Sequence, residues 1–504
     1  MSTSTDGTPA QLIPGRGIGF LTLGSSLHEV LTRLKAYPQT YPSIDVAYSA
    51  PDPLLKPVLV NLPGNGLRLR FDGADQRLRL IEVLDFTKIP LVYKNHEVAK
   101  PTRPDEPVQG PAFRHVYNRL FGPSYPGEYI PAPPNKTHGT YVLSYPGVAF
   151  SFPLLQSAWS DQCDFVALMS SSAASSATSM AVFHGPSWPE ARTTLLTHDP
   201  QSPKSTDAAG KNKDFVSDDV EEVKVHGAGR IEVVRRSGSS FWINLSETTP
   251  QDLVAELGPP DAIYRKHDRR ISIHRDHTAS SSRQTSTSRT RASDPTEIDP
   301  FSESSATEES DEEGSPTSQD SPSALPTECF YNYFHHGFDA LIAPPSAPGP
   351  QFPGTSSDES PSPVPDSPLT VTKVLVHGNV PGSYPFNRYR RCRWKLIYDA
   401  ATEPLTSETP YQQVSETLKE LWRGSYASAA EEAAHQRGMV LNRGWGDSPG
   451  SSVELLGGWE ESSGGRAGVG DDGSQLMGNT ELFGFPGLLF EVLKNGAVSC
   501  LTVF

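Results

Sequence analysis

Four times along this chain a glycine leads into a strand-like run whose alternate side chains are apolar. Gly66 precedes Leu67, Leu69 and Phe71, and Gly147 precedes Val148, Phe150 and Phe152. Gly337 precedes Phe338, and Gly487 precedes Leu488, Phe490 and Val492. Each run follows a stretch of helical period. A unit with one apolar sheet face and one apolar helix stripe cannot cover both alone, so recurrence of this kind predicts copies that stack on one another. The fold class that follows is α+β: tandem repeated strand–helix–antiparallel-strand units that pair into shared sheets, with long disordered inserts.

The first copy, 19–93, is the most regular. Phe20, Leu21 and Leu23 form a short strand ending at the turn glycine Gly24. Ser25 is the expected helix N-cap, with His28 in the place a capping-box glutamate would take. Leu27, Val30, Leu31 and Leu34 fall on one helical stripe, which Pro38 and Pro42 close. Ile44-Val46-Tyr48, Val58-Val60-Leu62, Leu67-Leu69-Phe71 and Leu78 to Val83 then read as four strands. Gly66 and Gly73 stand in the turns, and Asp72-Gly73 opens the last of them.

The remaining copies are more heavily interrupted. The second unit, 105–237, has a helix through Phe113, Val116, Tyr117 and Leu120 and the strands around Gly147, with a polar insert at 199–214. The third, 239–398, runs from Phe241 through a helix ending at Leu257-Gly258-Pro259, then to Gly337 and the strand 369–379. It carries disordered inserts at 275–327 and 344–368. The fourth, 399–504, is frayed: a helix around Val414, Leu418 and Leu421, an insert at 425–478, and strands about Gly487. Asn495-Gly496 is a type I′ turn signal. Residues 1–18 read as a disordered lead-in, and 170–179 as a further Ser/Ala-rich stretch.

These inserts set the composition. Of 504 residues, 47 are proline and 41 glycine, and only 36% are hydrophobic, which suits folded blocks diluted by segments without enough apolar content to order. Such segments can loop out between paired strands because added loop length costs little once the ends are joined. The formal net charge of -16 argues against broad nucleic-acid binding, which needs many cations facing phosphates. Four scattered cysteines, Cys163, Cys329, Cys392 and Cys500, offer neither a zinc ribbon nor a disulfide framework. The first residues lack a secretory signal and no apolar run reaches membrane-spanning length, so a cytoplasmic protein with unglycosylated sequons at Asn135 and Asn244 is expected.

No catalytic pattern stands out, and the expectation is a protein that is not an enzyme and needs no cofactor. Gly468 to Gly473 matches G-x-G-x-x-G but follows no strand, and its two aspartates would repel a pyrophosphate. His335 and His336, side by side on a strand, would point to opposite faces and share no metal. One is expected at the core edge and the other in solvent. The serines before Pro316, Pro322 and Pro368 are candidate phosphorylation sites. The concentrated positive site is 384–396, where Arg388, Arg390, Arg391, Arg393 and Lys395 alternate with Tyr384, Phe386, Tyr389 and Trp394. On a strand, Arg391, Arg393 and Lys395 would share a face suited to a phosphoinositide head group or an acidic partner. The plainer reading is a solvated strand face. The run 265–275 is a weaker basic stretch.

The blocks GFLTLGSSLHEVL, VLVNLPGNGLRLRFDGADQRLRLIEVLDF, RLFGPSYPGEY, ECFYNYFHHGFDALI, VLVHGNVPGSYPFNRYRRC and GLLFEVLKNGAVSCLTVF together resemble the phagosome assembly factor 1 family, in order and over nearly the whole chain. The resemblance implies a non-enzymatic scaffold or adaptor in autophagy. It would act with a WD-repeat β-propeller partner of the breast carcinoma amplified sequence 3 type at the phagophore assembly site. It also implies that phosphoinositide membranes are met mainly through that partner. The inserts at 275–327, 344–368 and 425–478 look longer than that family's usual spacing. A direct phosphoinositide reader using 388–395 is the rival expectation.

Overall fold

The computed structural model describes residues 9–99, 110–134, 136–160, 162, 164–197, 218–265, 328–344, 368–398, 403–424, 426–442 and 479–504. The first half opens with β1 (Ala10–Ile13), β2 (Gly17–Ile18) and β3 (Leu21–Thr22), then α1 (Leu27–Ala36). A four-strand meander follows: β4 (Asp45–Ala47), β5 (Val58–Leu62), β6 (Leu67–Phe71) and β7 (Leu78–Val83). The short pair β8 (Leu91–Tyr93) and β9 (His96–Glu97) leads to α2 (Phe113–His115), which continues as a π-helical turn over Val116–Leu120. A second meander then runs β10 (Glu128–Ile130), β11 (His138–Tyr145), β12 (Val148–Leu155), α3 (Phe165–Met169) and β13 (Ser179–Phe183), and ends in α4 (Trp188–Thr194).

The second half repeats this plan. Three strands come first, β14 (Val220–Val225), β15 (Arg230–Arg235) and β16 (Ser240–Asn244), then α5 (Pro250–Leu257). The meander is β17 (Ala262–Arg265), β18 (Cys329–Tyr333), β19 (Phe338–Ala343) and β20 (Thr370–His377). The short pair is β21 (Arg393–Leu396) and β22 (Leu405–Thr406). After α6 (Tyr411–Leu421) and α7 (Ala429–His435) come β23 (Met439–Asn442), β24 (Asn479–Phe485), β25 (Leu488–Val492) and β26 (Val498–Val503).

The sheets make the duplication explicit. The first half holds a five-stranded sheet in the order β3-β2-β1-β8-β9 and an eight-stranded sheet in the order β10-β11-β12-β13-β7-β6-β5-β4. The second half holds β16-β15-β14-β21-β22 and β23-β24-β25-β26-β20-β19-β18-β17, the same two patterns. In both, the small sheet contains one parallel pair, β1 with β8 and β14 with β21. In both, the large sheet is two antiparallel meanders joined at their last strands, β13 to β7 and β26 to β20. Units therefore pair into shared sheets, as the recurrence predicts.

Local chemistry explains the elements. In α1 the stripe Leu27, Val30, Leu31 and Leu34 is buried against the meander residues Val58, Val60, Leu69 and Ile81 in one core. The cap is Ser26 rather than Ser25: its hydroxyl accepts from the Glu29 amide. α5 carries a complete capping box between Thr249 and Asp252. The second core gathers Val223, Ile231, Phe338, Val374, Trp394, Val414, Phe490 and Leu501. The four strand-leading glycines Gly66, Gly147, Gly337 and Gly487 all have φ between +63° and +84°, a region that side chains with a Cβ resist. Gly24 is alike, whereas Gly73 is required by close approach, since a Cβ there would lie 2.4 Å from the Lys56 carbonyl oxygen.

Several boundaries differ from the sequence reading. β1 and β2 lie inside the expected lead-in, because Ala10 and Gln11 pair with Leu91 and Val92 far along the chain. β14 and β15, grouped by sequence with the second unit, belong to the sheet of the second half. The 170–179 stretch is packed: Ala177 is buried and Ala174 bridges Leu154. α7 and β23 occupy the start of the insert expected at 425–478. Gly496 has positive φ but Asn495 does not, so the β25–β26 connection is a five-residue loop closed by Leu493 and Ala497 instead of a type I′ turn. The expected inserts 199–214 and 275–327 lie outside the described residues, as do 345–367 and 443–478, Gly468 to Gly473, Asn135, Cys163 and most of the basic run 265–275.

Candidate functional site: an arginine-rich clamp between the halves

The basic stretch singled out by sequence sits where the two halves meet. Only its end is a strand: β21 begins at Arg393, and Arg390 and Arg391 precede it in irregular chain. Arg393 and Lys395 share the half-exposed face of β21 as expected, with Trp394 and Leu396 buried on the other. Arg391 does not join them. It is buried and turned into the interface.

Four of the five cations there meet protein acceptors. Arg391 donates through Nη1 to the Gly378 carbonyl at 2.6 Å, through Nη2 to Glu408 at 2.9 Å, and through Nε to the Ala74 carbonyl of the first half. Arg393 binds Asp75 of the first half at 2.7 Å and Glu408 at 2.9 Å. Arg390 binds Asp219 at 3.0 Å and donates to the carbonyls of Val220 and His335. Lys395 pairs with Glu222 at 2.8 Å on the neighbouring strand β14. Arg388 alone of the five stacks on aromatic rings, lying 5.9 Å from the Phe334 centroid and 5.6 Å from that of Tyr389.

The first half supplies the loop between β6 and β7. Asp72 holds that loop in shape by accepting from the Asp75 and Arg77 amides and from Arg79 Nε at 2.7 Å. The loop then presents Ala74, Asp75, Gln76 and Arg77 to the second half. Gln76 and Asn379 exchange amide hydrogen bonds, both 2.8 Å, and each sits at a positive φ. Arg77 reaches Glu221 at 3.1 Å. A small apolar cluster of Leu54, Val380, Leu493 and Ala497 seals the edge, and Phe386 packs into the core of the first half.

Burial by itself would raise the Glu408 carboxyl, but Arg391 and Arg393 outweigh it and hold the group down at about 2. Burial lowers both Arg390 and Arg391 from the usual guanidinium value. A buried guanidinium is tolerable only with its donors satisfied, which this clamp achieves with carbonyls and carboxylates from both halves. The geometry is that of an internal joint, with most of its positive charge already spent.

Two histidine groups lie nearby. His335 and His336 are in the turn between β18 and β19, not on a strand, and their rings are 4.0 Å apart. His335 is the outer one and binds Asp261 at 2.6 Å, while His336 is buried. Burial pushes His336 down to about 4, and does the same to His28 of α1, which faces the Arg388 backbone and Arg390. Separately, buried Asp339 accepts from Asn332 at 2.8 Å and from Tyr389 at 2.8 Å, and binds His377 Nε2 at 2.9 Å. Cys500 lies opposite His377 in the ladder, and the Tyr389 ring covers the imidazole at 3.7 Å. Burial would lower His377, but Cys500 and Asp339 raise it to about 10. Among the described residues no group of three or more His, Cys, Asp and Glu is placed to hold a metal ion.

Sequence reasoning picked the five cations but missed their acceptors. Asp75, Asp219, Glu222 and Glu408 lie 15 to 318 positions away from the cations they bind, and no local pattern marks them. Gln76 and Asn379 carried no signal at all.

Comparison with known proteins gives a consistent result. The family described as phagosome assembly factor 1 matches residues 17–290 and 314–504. The chain is 25% identical to the PHAF1 protein At3g51130 of Arabidopsis thaliana, over 100% of this chain and 94% of that protein. It is 21% identical to the PHAF1 protein CG7083 of Drosophila melanogaster, over 96% of this chain and 90% of the other. A shorter match, 29% identical over 131 residues, joins it to the PHAF1 protein T01G9.2 of Caenorhabditis elegans, with 26% of this chain and 28% of that one covered. No solved structure matches.

Proposed function

This chain belongs to the phagosome assembly factor 1 family, and we propose that it is a non-enzymatic scaffold or adaptor in autophagy. In this reading it acts with a WD-repeat β-propeller protein of the breast carcinoma amplified sequence 3 type and is recruited with it to the phagophore assembly site. The observation that carries the reading is the clamp. Arg390, Arg391 and Lys395 are bound to Asp219, Glu408 and Glu222 of their own half, while Arg393 reaches Asp75 and Arg391 the Ala74 carbonyl of the first half, so this cationic segment is engaged by the protein itself. That favours an adaptor working through sheet surfaces over a direct reader of phosphoinositides, and leaves the lipid contact to the partner.

Two further features support it. No helix among the described residues is long and apolar enough to cross a membrane. The cysteine–histidine–carboxylate grouping of Cys500, His377 and Asp339 is closed over by Tyr389, which is itself buried, so a substrate has no approach to it from that side. The test is co-purification of the full chain with a propeller of that type, together with starvation-dependent puncta in cells. Diffuse signal under starvation with no propeller in the pull-down contradicts the proposal.

A further inference from the structure

The two halves share one topology, yet the outer faces of their large sheets are finished differently. In the first half, α4 lies across the face made by β7, β11, β12 and β13. Leu80, Val142, Ala149 and Phe183 are buried there together with Ala191 of α4, and Trp188 and Leu195 pack at the margin. The Trp188 ring is 5.2 Å from that of Phe183, and its amide donates to Ser144 at 2.8 Å.

The strand registers locate the same face in the second half. Ile81 pairs with Val182 as Val374 pairs with Val503, so Lys373 corresponds to Leu80 and Phe504 to Phe183. Ala149 pairs with Ala181 as Leu489 pairs with Thr502, and Val142 with Ser151 as Leu482 with Glu491. The counterpart of the α4 seat is therefore Lys373, Leu482, Leu489 and Phe504. None of the four belongs to, or packs against, a buried apolar cluster among the described residues. Phe504 is 49% exposed, Lys373 is exposed with its ammonium 5.4 Å from the Phe504 ring centroid, and Leu482 and Leu489 are half-buried.

We propose that this face docks a short amphipathic helix of a partner protein, presenting an aromatic residue and a small residue in the manner of α4. The occupant is inferred from what the same fold places on the matched face: an aromatic ring against Phe183 and an alanine that lets the helix approach the strands. One exchange adds specificity. Lys373 stands where the first half has Leu80, so the docked helix carries a carboxylate toward that corner, where an apolar ring and an aligned cation meet. Helix-in-groove recognition of this sort relies on a few apolar anchors with a charged rim.

The probe is a fluorescent peptide of residues 186–197, PSWPEARTTLLT, which carries the α4 anchors and Glu190. It is titrated into the full chain and read by anisotropy. Saturable binding is expected, weakened roughly tenfold or more by Leu489→Asp or Lys373→Glu, in line with the loss of an interface anchor. A Trp188→Ala peptide is expected to lose binding similarly. Both chain variants alter surface positions, and an unchanged melting temperature separates loss of docking from loss of fold. Absence of binding, or binding unaffected by both chain variants, overturns the proposal. Self-association of the chain that Leu489→Asp disperses also overturns it, since the face would then be occupied by a second copy. None of these readouts involves a propeller or starvation, so the result stands apart from the adaptor reading.

Discussion

Gln76 and Asn379, 303 residues apart, hold each other by two reciprocal amide hydrogen bonds across the junction of the duplicated halves. Gln76 Nε2 donates to the backbone carbonyl of Asn379, and Asn379 Nδ2 donates to Gln76 Oε1. Both backbones are left-handed, so each half tolerates some local strain to aim a side chain at the other. Replacing either by alanine leaves buried polar groups unmatched. Each single change should cost about 1–3 kcal/mol in urea unfolding. The double variant should cost less than the sum, because both changes remove the shared bond from Asn379 Nδ2 to Gln76 Oε1, whereas the bond to the Asn379 main chain is lost only with Gln76.

Glu408 is the second joint. It neutralises Arg391 and Arg393 together. Glu408→Gln keeps the shape but leaves two guanidinium groups with one carboxylate, Asp75, between them. A loss of about 3–5 kcal/mol is expected, the usual result of breaking one side of a buried pair. The loss should depend little on added salt, because the pair is shielded from solvent.

Acid should loosen the same joint in two stages. His28 and His336 are held neutral, each at about 4 instead of the usual 6.5, chiefly by burial. His28 faces Arg388, Arg390, Asp261 and His335, and His336 faces His335, Arg390, Asp219 and Asp261. A depressed folded-state value favours the fold fully above the unfolded value. Stability therefore falls as pH drops from about 6.5 toward 4, by on the order of 3 kcal/mol per histidine. Glu408 follows, with its contribution lost from its ordinary range down through about 2. Unfolding midpoints across this range should shift less in a His28→Gln variant, and an unaltered profile in that variant would count against the assignment.

Gly66 tests the repeated turn. It has φ +63°, and a Cβ there would lie 2.6 Å from the Asp85 carbonyl oxygen. Gly66→Ala should destabilise the chain by more than about 1 kcal/mol, since both strain and contact oppose it. Gly238→Ala, at φ +87° with open space around it, carries only the strain and should cost less in the same assay.

Much of the fold was legible where the signal is local. The α1 stripe, the four strands of the first meander and the four strand-leading glycines follow from side-chain period and turn chemistry. β1 was not legible: four residues before Pro14 have no period, and their strand exists only because Leu91 and Val92 lie alongside. α7 and β23 were lost in a stretch of low apolar content, where short elements leave little pattern. The clamp was half legible. Arginines alternating with aromatics marked a special segment, but whether such a segment faces lipid or protein depends on carboxylates that only the tertiary fold brings near.

That distinction is also the most direct test of the account. The isolated full chain is floated with vesicles carrying phosphatidylinositol phosphates, alone and after addition of a propeller partner. With Arg390, Arg391, Arg393 and Lys395 engaged inside the molecule, the chain alone should stay in the dense fraction and rise with the vesicles only when the partner is present. Flotation of the chain by itself, abolished by Arg393→Gln with Lys395→Gln, would contradict it.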